Sequence, residues 1–276
     1  MPDLDSISPN TGRSFARWSE IDADAAGARI GRIAGAAGAL ADLAARKEAL
    51  SRVSAALAAA RAELVALTVT EVGKTPAEAE AEIDYAESFL ETSRRLLDAY
   101  PFETPLGAGR TVREVPRGAG LLIAPFNDPV AGLTRKIGPC LAAGAGAIVK
   151  PSDLAMQVAL AFGRHLSRQG LDDVVGMLPI ADRARIAALV ADPQVGTVSF
   201  TGSTAAGRSL AVEAARHGKG FVGELGGTNP FVILADADLD RAVSDLVTRK
   251  LKAAGQACSA PNLVLVEGAV ADDAAD

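Results

Sequence analysis

Two side chains near the end of the chain offer covalent chemistry. Cys258 lies in GQACSAPN, and Glu224 lies between an apolar run and the pair Gly226-Gly227. A thiolate with a carboxylate nearby can form an acyl-enzyme and then direct water to break it. Between the two residues come a strand-like run, NPFVIL, and a helix-like run from Asp238 to Gly255. A strand-helix return of this kind can bring its two ends to one edge of a sheet. Each residue alone also has a plainer reading. A cysteine in an alanine-rich segment is commonly a small buried hydrophobe, and a single glutamate is commonly a solvated charge.

Other polar groups stand at the ends of apolar runs. APFNDP (124–129) presents Asn127, whose amide can donate to a developing oxyanion, or can simply form a turn before Pro129. KPSD (150–153) places Lys150 at the end of a second run, where a solvated charge is the default. SFTGSTAAG (199–207) joins a strand to a helix. Gly202 there permits a tight turn, Ser203 and Thr204 can cap the helix, and its free N–H groups suit a phosphate. An ordinary N-cap explains the same residues. Arg135 and Lys136 interrupt an apolar helix close to Asn127, a pair that in isolation reads as a solvated face.

The elements that must position these groups follow a regular pattern from Gly118 onward. Apolar runs at 120–126, 146–152, 174–180, 196–202, 220–226 and 229–234 precede helical segments near 130–143, 153–169, 182–191, 204–217 and 238–254, and a last run covers 263–268. This alternation predicts an α/β fold with a doubly wound parallel sheet covered on both faces, which binds ligands at the carboxyl ends of its strands. Before it, Leu40, Leu43, Leu50, Val53, Leu57 and Leu64 recur at helical intervals, Pro76 suits the first turn of a helix running to about Tyr100, and residues 1–20 are turn-rich. In residues 101–117 Pro and Gly are frequent and Thr111 to Val115 alternate, which predicts an exposed hairpin or a plain surface loop.

Composition narrows the function classes. Apolar residues make up 49% and charged residues 22%, which argues against disorder, and a net charge of −6 without a basic cluster gives no support to nucleic acid or an anionic membrane as partner. Two cysteines make no disulfide framework, the acidic start lacks an apolar signal region, and no continuous apolar run has membrane length. A reducing cytoplasm is the simplest expectation. The two histidines stand apart, without metal-ligand spacing.

ELGGTNP, ADADLD and AGQACSAPN, in that order, resemble the nucleophile region of the aldehyde dehydrogenase superfamily, and the Asn127, Lys150 and Ser203 segments match its other motifs. TRKIGPCLAAG and TRKLKAAGQAC resemble the succinate-semialdehyde dehydrogenase branch. The resemblance implies Cys258 as nucleophile, Glu224 as the base that activates water, and Asn127 as an oxyanion donor beside the Cys258 N–H. It implies NAD or NADP as cofactor, bound by Ala124, Pro125, Phe126, Lys150, Ser152, Asp153, Gly202, Ser203, Leu225 and Gly226. Lys150 and Asp153 are expected at the adenosine ribose. Asp153, one methylene shorter than the usual Glu, would take the ribose hydroxyls, which favours NAD. Arg135 and Lys252 are expected at a distal carboxylate of a small aldehyde; Lys252 stands where that branch has an arginine, so charge is kept and the bidentate fork is lost. Pro179 to Arg183 replace a glycine-rich turn with bulkier side chains, an expected change at the adenine end.

The resemblance also divides the chain. Residues 1–100 and 118–225 correspond to a cofactor domain with an N-terminal helical layer, 101–117 to a β arm that pairs subunits into a homo-oligomer, and 226–276 to the start of a truncated catalytic α/β domain. Family members continue well past the Cys258 region, with a ribose-gripping glutamate and a final arm strand, so the chain is expected to be an amino-terminal portion. A second reading is a remnant that binds nucleotide or a partner chain without turnover. A third is an unrelated doubly wound nucleotide-binding protein, with an unreactive Cys258.

Overall fold

The computed structural model describes residues 3–274. An antiparallel pair opens the chain, β1 (Leu4–Ile7) and β2 (Ser14–Trp18), joined through the Pro9–Gly12 turn. Sequence shows the turn and hides the strands, because each is only four or five residues long. Helices α1 (Ala23–Ala34) and α2 (Ala36–Ala39) follow, then α3 (Leu43–Val72). The Asp42 carboxylate caps α3 by accepting the Ala45 N–H at 2.7 Å. The helix stops at Gly73, whose φ of +82° is a left-handed C-cap. A side chain there would also press on Pro9 Cγ at 3.0 Å. Helix α4 (Pro76–Ala99) begins with Pro76 behind a capping box in which Thr75 and Glu78 satisfy each other's N–H groups.

A hairpin of β3 (Glu103–Gly107) and β4 (Arg110–Arg113) comes next, with every strand residue exposed. The predicted alternation then appears: β5 (Ala119–Ile123), α5 (Pro129–Ala142), β6 (Ala147–Lys150), α6 (Met156–Arg168), β7 (Val175–Met177), α7 (Arg183–Ala191), β8 (Val195–Gly202), α8 (Thr204–Arg216) and β9 (Gly220–Leu225). The five strands form one parallel sheet in the order β7-β6-β5-β8-β9. The direction of winding reverses between β5 and β8, so the carboxyl ends of these two strands flank the crevice where such sheets take ligands. β5 and β6 are buried along their whole length.

Two cores cover the faces of the sheet. One packs α3, α4, α5 and α6 through Leu50, Val53, Leu57, Leu90, Ile137 and Phe162. The other packs α1, α7 and α8 through Ile30, Ile33, Val190, Val198 and Ala214. Helix α3 is long and apolar enough to cross a membrane by length and composition; here its Leu50-Val53-Leu57-Leu64 stripe is buried against neighbouring helices. The last apolar runs leave the large sheet. β10 (Asn229–Ile233) and β11 (Pro261–Val266) pair with each other in parallel, linked by α9 (Leu239–Leu251). No residue of α9 is buried, and Val232, Leu234, Val247, Leu251 and Leu263 to Leu265 are exposed.

Candidate active site

Asn127 sits between β5 and α5, and α4 fixes that junction. Glu82 of α4 is buried, and its carboxylate accepts the Val130 and Ala131 N–H groups at 2.8 and 3.1 Å. These are orphan donors at the start of α5, where a negative charge also meets the positive end of the helix dipole. Lys74, equally buried, donates to Glu82 at 2.7 Å and to Asp128 at 2.6 Å. Burial alone would favour a neutral amine, and the two carboxylates outweigh it, so Lys74 titrates above its usual range.

The Cys258 segment docks against this junction. The Asn127 side-chain amide donates to the Gln256 carbonyl at 2.9 Å. Gln256 donates to the Ala253 and Val72 carbonyls at 2.9 and 3.4 Å. Glu78 accepts the Ala253 N–H at 2.7 Å, the main reason its carboxyl titrates below the usual range. Asn229 donates to the carbonyls of Cys258 at 2.6 Å and Ala260 at 3.2 Å. Ala253 and Ala254 have φ of +49° and +56°, left-handed conformations that cost an L residue roughly 1–2 kcal/mol each. Cys258 is exposed and lines a cleft of ≈ 390 Å³ with Ser259, Lys252, Arg135, Tyr85 and Glu78. Arg135 donates to the Tyr85 hydroxyl at 2.9 Å, with its guanidinium 4.5 Å from the Phe89 ring centre.

Three predicted residues, Cys258, Arg135 and Lys252, therefore share one cleft, and Asn127 is bonded to the loop that carries the thiol. Glu224 does not line this cleft. It stands exposed on β9, paired in register with Thr201, and its charge reaches Lys136. Lys136 is buried and donates to Ser199 Oγ at 2.9 Å. Burial pushes its amine down to about 8, against the pull of Glu224 and with the help of Arg135. Sequence reasoning read Lys136 as half of a solvated pair; its position beside Leu133 and Ile137 on one helix face was the available signal. Glu78, Glu82 and Lys74 also lay outside the expected site.

The residues expected at the cofactor separate into groups. Lys150 and Ser203 line a second cleft of ≈ 590 Å³ at the carboxyl ends of β5, β6 and β8, with Arg183, Ile186, Phe200 and Leu210. Gly202 closes β8, and Ser203 Oγ caps α8 by accepting the Ala206 N–H at 3.3 Å. Gly207 lets α8 lie against β9, since a Cβ there would fall 2.2 Å from Leu225. Leu225 is 39% exposed at the end of β9, next to Gly226. Ala124 is buried and donates to the Lys150 carbonyl at 3.0 Å, and Pro125 packs against Gly132. Ser152 caps a short 3₁₀ turn. Phe126 and Asp153 line a different cleft, of ≈ 240 Å³, beside Gln256. Lys150 is only 7% exposed, yet its ammonium has no hydrogen-bond or ion-pair partner among the described residues. The charges of Asp153 and Glu20 act on it from beyond ion-pair distance, and a buried cation beside a helix N-terminus suits a phosphate-bearing cofactor.

The second thiol is of another kind. Cys140 faces the Ala145 and Gly146 carbonyls at 3.5 and 3.4 Å, and burial pushes it up to about 12. Among the described residues no group of three or more His, Cys, Asp or Glu side chains could hold a metal.

Known proteins share this sequence pattern and fold. The family model described as "Aldehyde dehydrogenase family" matches residues 2–276. A succinate-semialdehyde dehydrogenase of Paenarthrobacter nicotinovorans is 38% identical over 79% of this chain and 50% of its own length. The NADP(+) succinate-semialdehyde dehydrogenase of Escherichia coli is 36% identical over 76% of this chain and 45% of its own. The crystal structure of aldehyde dehydrogenase C from Pseudomonas syringae with NAD+ and octanal superposes with a TM-score of 0.93 at 28% identity, over 99% of this chain and 57% of that one. The chain spans about half the length of the relatives it matches in sequence. A matching family model over nearly every residue, on a fold that holds Cys258, Arg135 and Lys252 in one cleft, makes this chain a member of the aldehyde dehydrogenase family.

Proposed function

We propose that this chain takes part in NAD(P)+-dependent oxidation of a small aldehyde to its carboxylic acid, with Cys258 as the nucleophile. The observation that carries the reading is the Asn127–Gln256 hydrogen bond, which joins the end of β5 to the Cys258 loop across 129 positions of sequence. Cys258 Sγ adds to the aldehyde carbon, and the oxygen takes the negative charge. The Asn127 amide has two N–H groups. Gln256 occupies one, and the other is left for the oxyanion beside the Cys258 N–H. NAD or NADP, held at the cleft that Lys150 and Ser203 line, would supply the acceptor for the hydride that the adduct carbon loses in becoming a thioester. Glu224 takes a proton from water, the water oxygen attacks the thioester carbon, and Cys258 leaves as thiolate.

The cleft is lined by Glu78 and by the mutually bonded Lys74, Glu82 and Asp128, and Arg135 and Lys252 add two further cations, which fits an aldehyde with a distal carboxylate, as the names of the semialdehyde dehydrogenases it resembles suggest. The exposed β3–β4 hairpin is the surface this reading assigns to subunit pairing. The experiment is reduction of NAD+ or NADP+ by the purified chain with a panel of aldehydes including succinic semialdehyde. Aldehyde-dependent absorbance that vanishes in Cys258→Ala is expected. Glu224 outside the cleft and the exposed apolar residues of β10, α9 and β11 favour a second reading, a nucleotide- or partner-binding chain without turnover. No reduction with any aldehyde, in a chain folded by circular dichroism, would select it.

A further inference from the structure

We propose that Glu78 is a positioning residue: from α4 it holds the loop that carries Cys258 and, through that loop, orients the Asn127 amide. The inference rests on the dehydrogenase reading above and adds to it a residue that acts through others. Helix α9 ends at Leu251, and the chain then passes through three left-handed residues, Ala253, Ala254 and Gly255, with φ of +49°, +56° and +77°. This reversal takes the Ala253 N–H out of the helical ladder. Ala253 is 6% exposed, so an unbonded N–H there would be costly. Glu78 Oε1 supplies the acceptor at 2.7 Å. Its other oxygen, Oε2, accepts the Thr75 N–H at 3.0 Å and the Thr75 hydroxyl at 2.9 Å. One carboxylate thus fixes the start of α4 with one atom and the loop with the other.

The bonds continue on the far side of Ala253. Its carbonyl accepts the Gln256 side-chain amide at 2.9 Å and the Gln256 backbone N–H at 3.1 Å. The Gln256 carbonyl in turn accepts from the Asn127 amide at 2.9 Å. Holding one Asn127 N–H on Gln256 restricts where the second can point. Gln256 is itself held through Ala253 by Glu78, so a single carboxylate stands behind both the nucleophile loop and the oxyanion donor of the proposed reaction. The link between Glu78 and Ala253 spans 175 positions of sequence.

The test compares Glu78→Ala, Glu78→Gln and Thr75→Val in the full chain. Thr75→Val removes the cap hydroxyl and leaves the Ala253 bond, so it reports on α4 alone. Amide hydrogen exchange is followed by mass spectrometry in peptides covering 252–260 and 75–85. Glu78→Ala should speed exchange in 252–260 about ten- to a hundredfold, the worth of one hydrogen bond to a charged group. Glu78→Gln keeps an acceptor oxygen and should stay near the unmodified chain there, and Thr75→Val should change only 75–85. With succinic semialdehyde and NAD+ or NADP+, Glu78→Ala should lower kcat roughly ten- to a hundredfold and leave KM within about threefold. Combined with Asn127→Ala, its loss should fall well short of the product of the two single losses. Unchanged exchange in 252–260 of Glu78→Ala, losses that multiply with Asn127→Ala, or an equal loss from Thr75→Val would overturn the assignment. Absence of turnover in the unmodified chain would instead remove the dehydrogenase reading and the catalytic half of this inference, while the exchange rates still decide whether Glu78 holds the loop.

Discussion

Asn127 and the loop that carries Cys258 meet through one hydrogen bond, to the Gln256 carbonyl, but the two are held from behind in opposite ways. Asn127 stands on a junction between a fully buried strand and a helix whose first free N–H groups bond a buried glutamate, itself paired with a buried lysine. Cys258 stands on a loop with two left-handed alanines, after a helix with no buried residue, tethered by Glu78, Asn127 and Asn229. The difference separates two jobs. The proposed oxyanion donor is placed by the core of the sheet domain. The proposed nucleophile is placed by a few polar bonds reaching out from that core, so its geometry is the more easily lost.

Breaking the rigid side should have the largest effect on stability. Glu82→Ala leaves Lys74 with Asp128 alone and strips the Val130 and Ala131 N–H groups of their acceptor. Removing one partner of a buried pair typically costs ~3–5 kcal/mol, and the denaturant midpoint should fall accordingly without a change in slope. Asn127→Ala should lower the rate of aldehyde oxidation by about 10²–10³, the usual worth of one oxyanion donor, with the fold retained by circular dichroism. A rate within a few-fold of the unmodified chain would move the oxyanion to another group.

Lys136 gives a pH test of the same buried side. Its folded pKa of about 8 lies below the ordinary lysine value of 10.5. Between those two values the unfolded chain binds the proton and the folded chain does not, so this group's contribution makes stability rise with pH across that window. The rise is about 2–3 kcal/mol at most, and Lys136→Met should flatten it in urea titrations run at pH 7.5 and 10. On the loop side, Ala254→Gly should stabilise the chain by only ~1 kcal/mol, because Gly adopts φ of +56° without the Cβ penalty. Destabilisation by that change would mean the loop is not strained.

The same contrast explains what was legible in the sequence. The sheet could be read strand by strand from Gly118 onward, because buried parallel strands are unbroken apolar runs and the helices between them carry caps such as Asp182 and Ser203. Cys258, Arg135 and Lys252 were legible through their motif wording, and the structure places them on one cleft. β1 and β2 were not, since strands of four and five residues around a Pro-Asn-Thr-Gly turn carry too little pattern. The Lys74-Glu82-Asp128 cluster was not legible either: its members come from α4, from the turn before it and from the start of α5, and each alone resembles a solvated charge. The separation of β10 and β11 from the larger sheet also escapes periodicity, because an apolar strand carries no label for the sheet it joins.

The most direct measurement is the mass of the Cys258 peptide after one turnover. Glu224→Gln protein, mixed with succinic semialdehyde and NADP+ or NAD+ and quenched in acid, should carry an acyl group as a thioester on Cys258, because deacylation has lost its base. An adduct confined to that peptide and released by hydroxylamine is the predicted result. An unmodified Cys258 in protein that still reduces the cofactor would contradict the account, since oxidation would then proceed without the thiol.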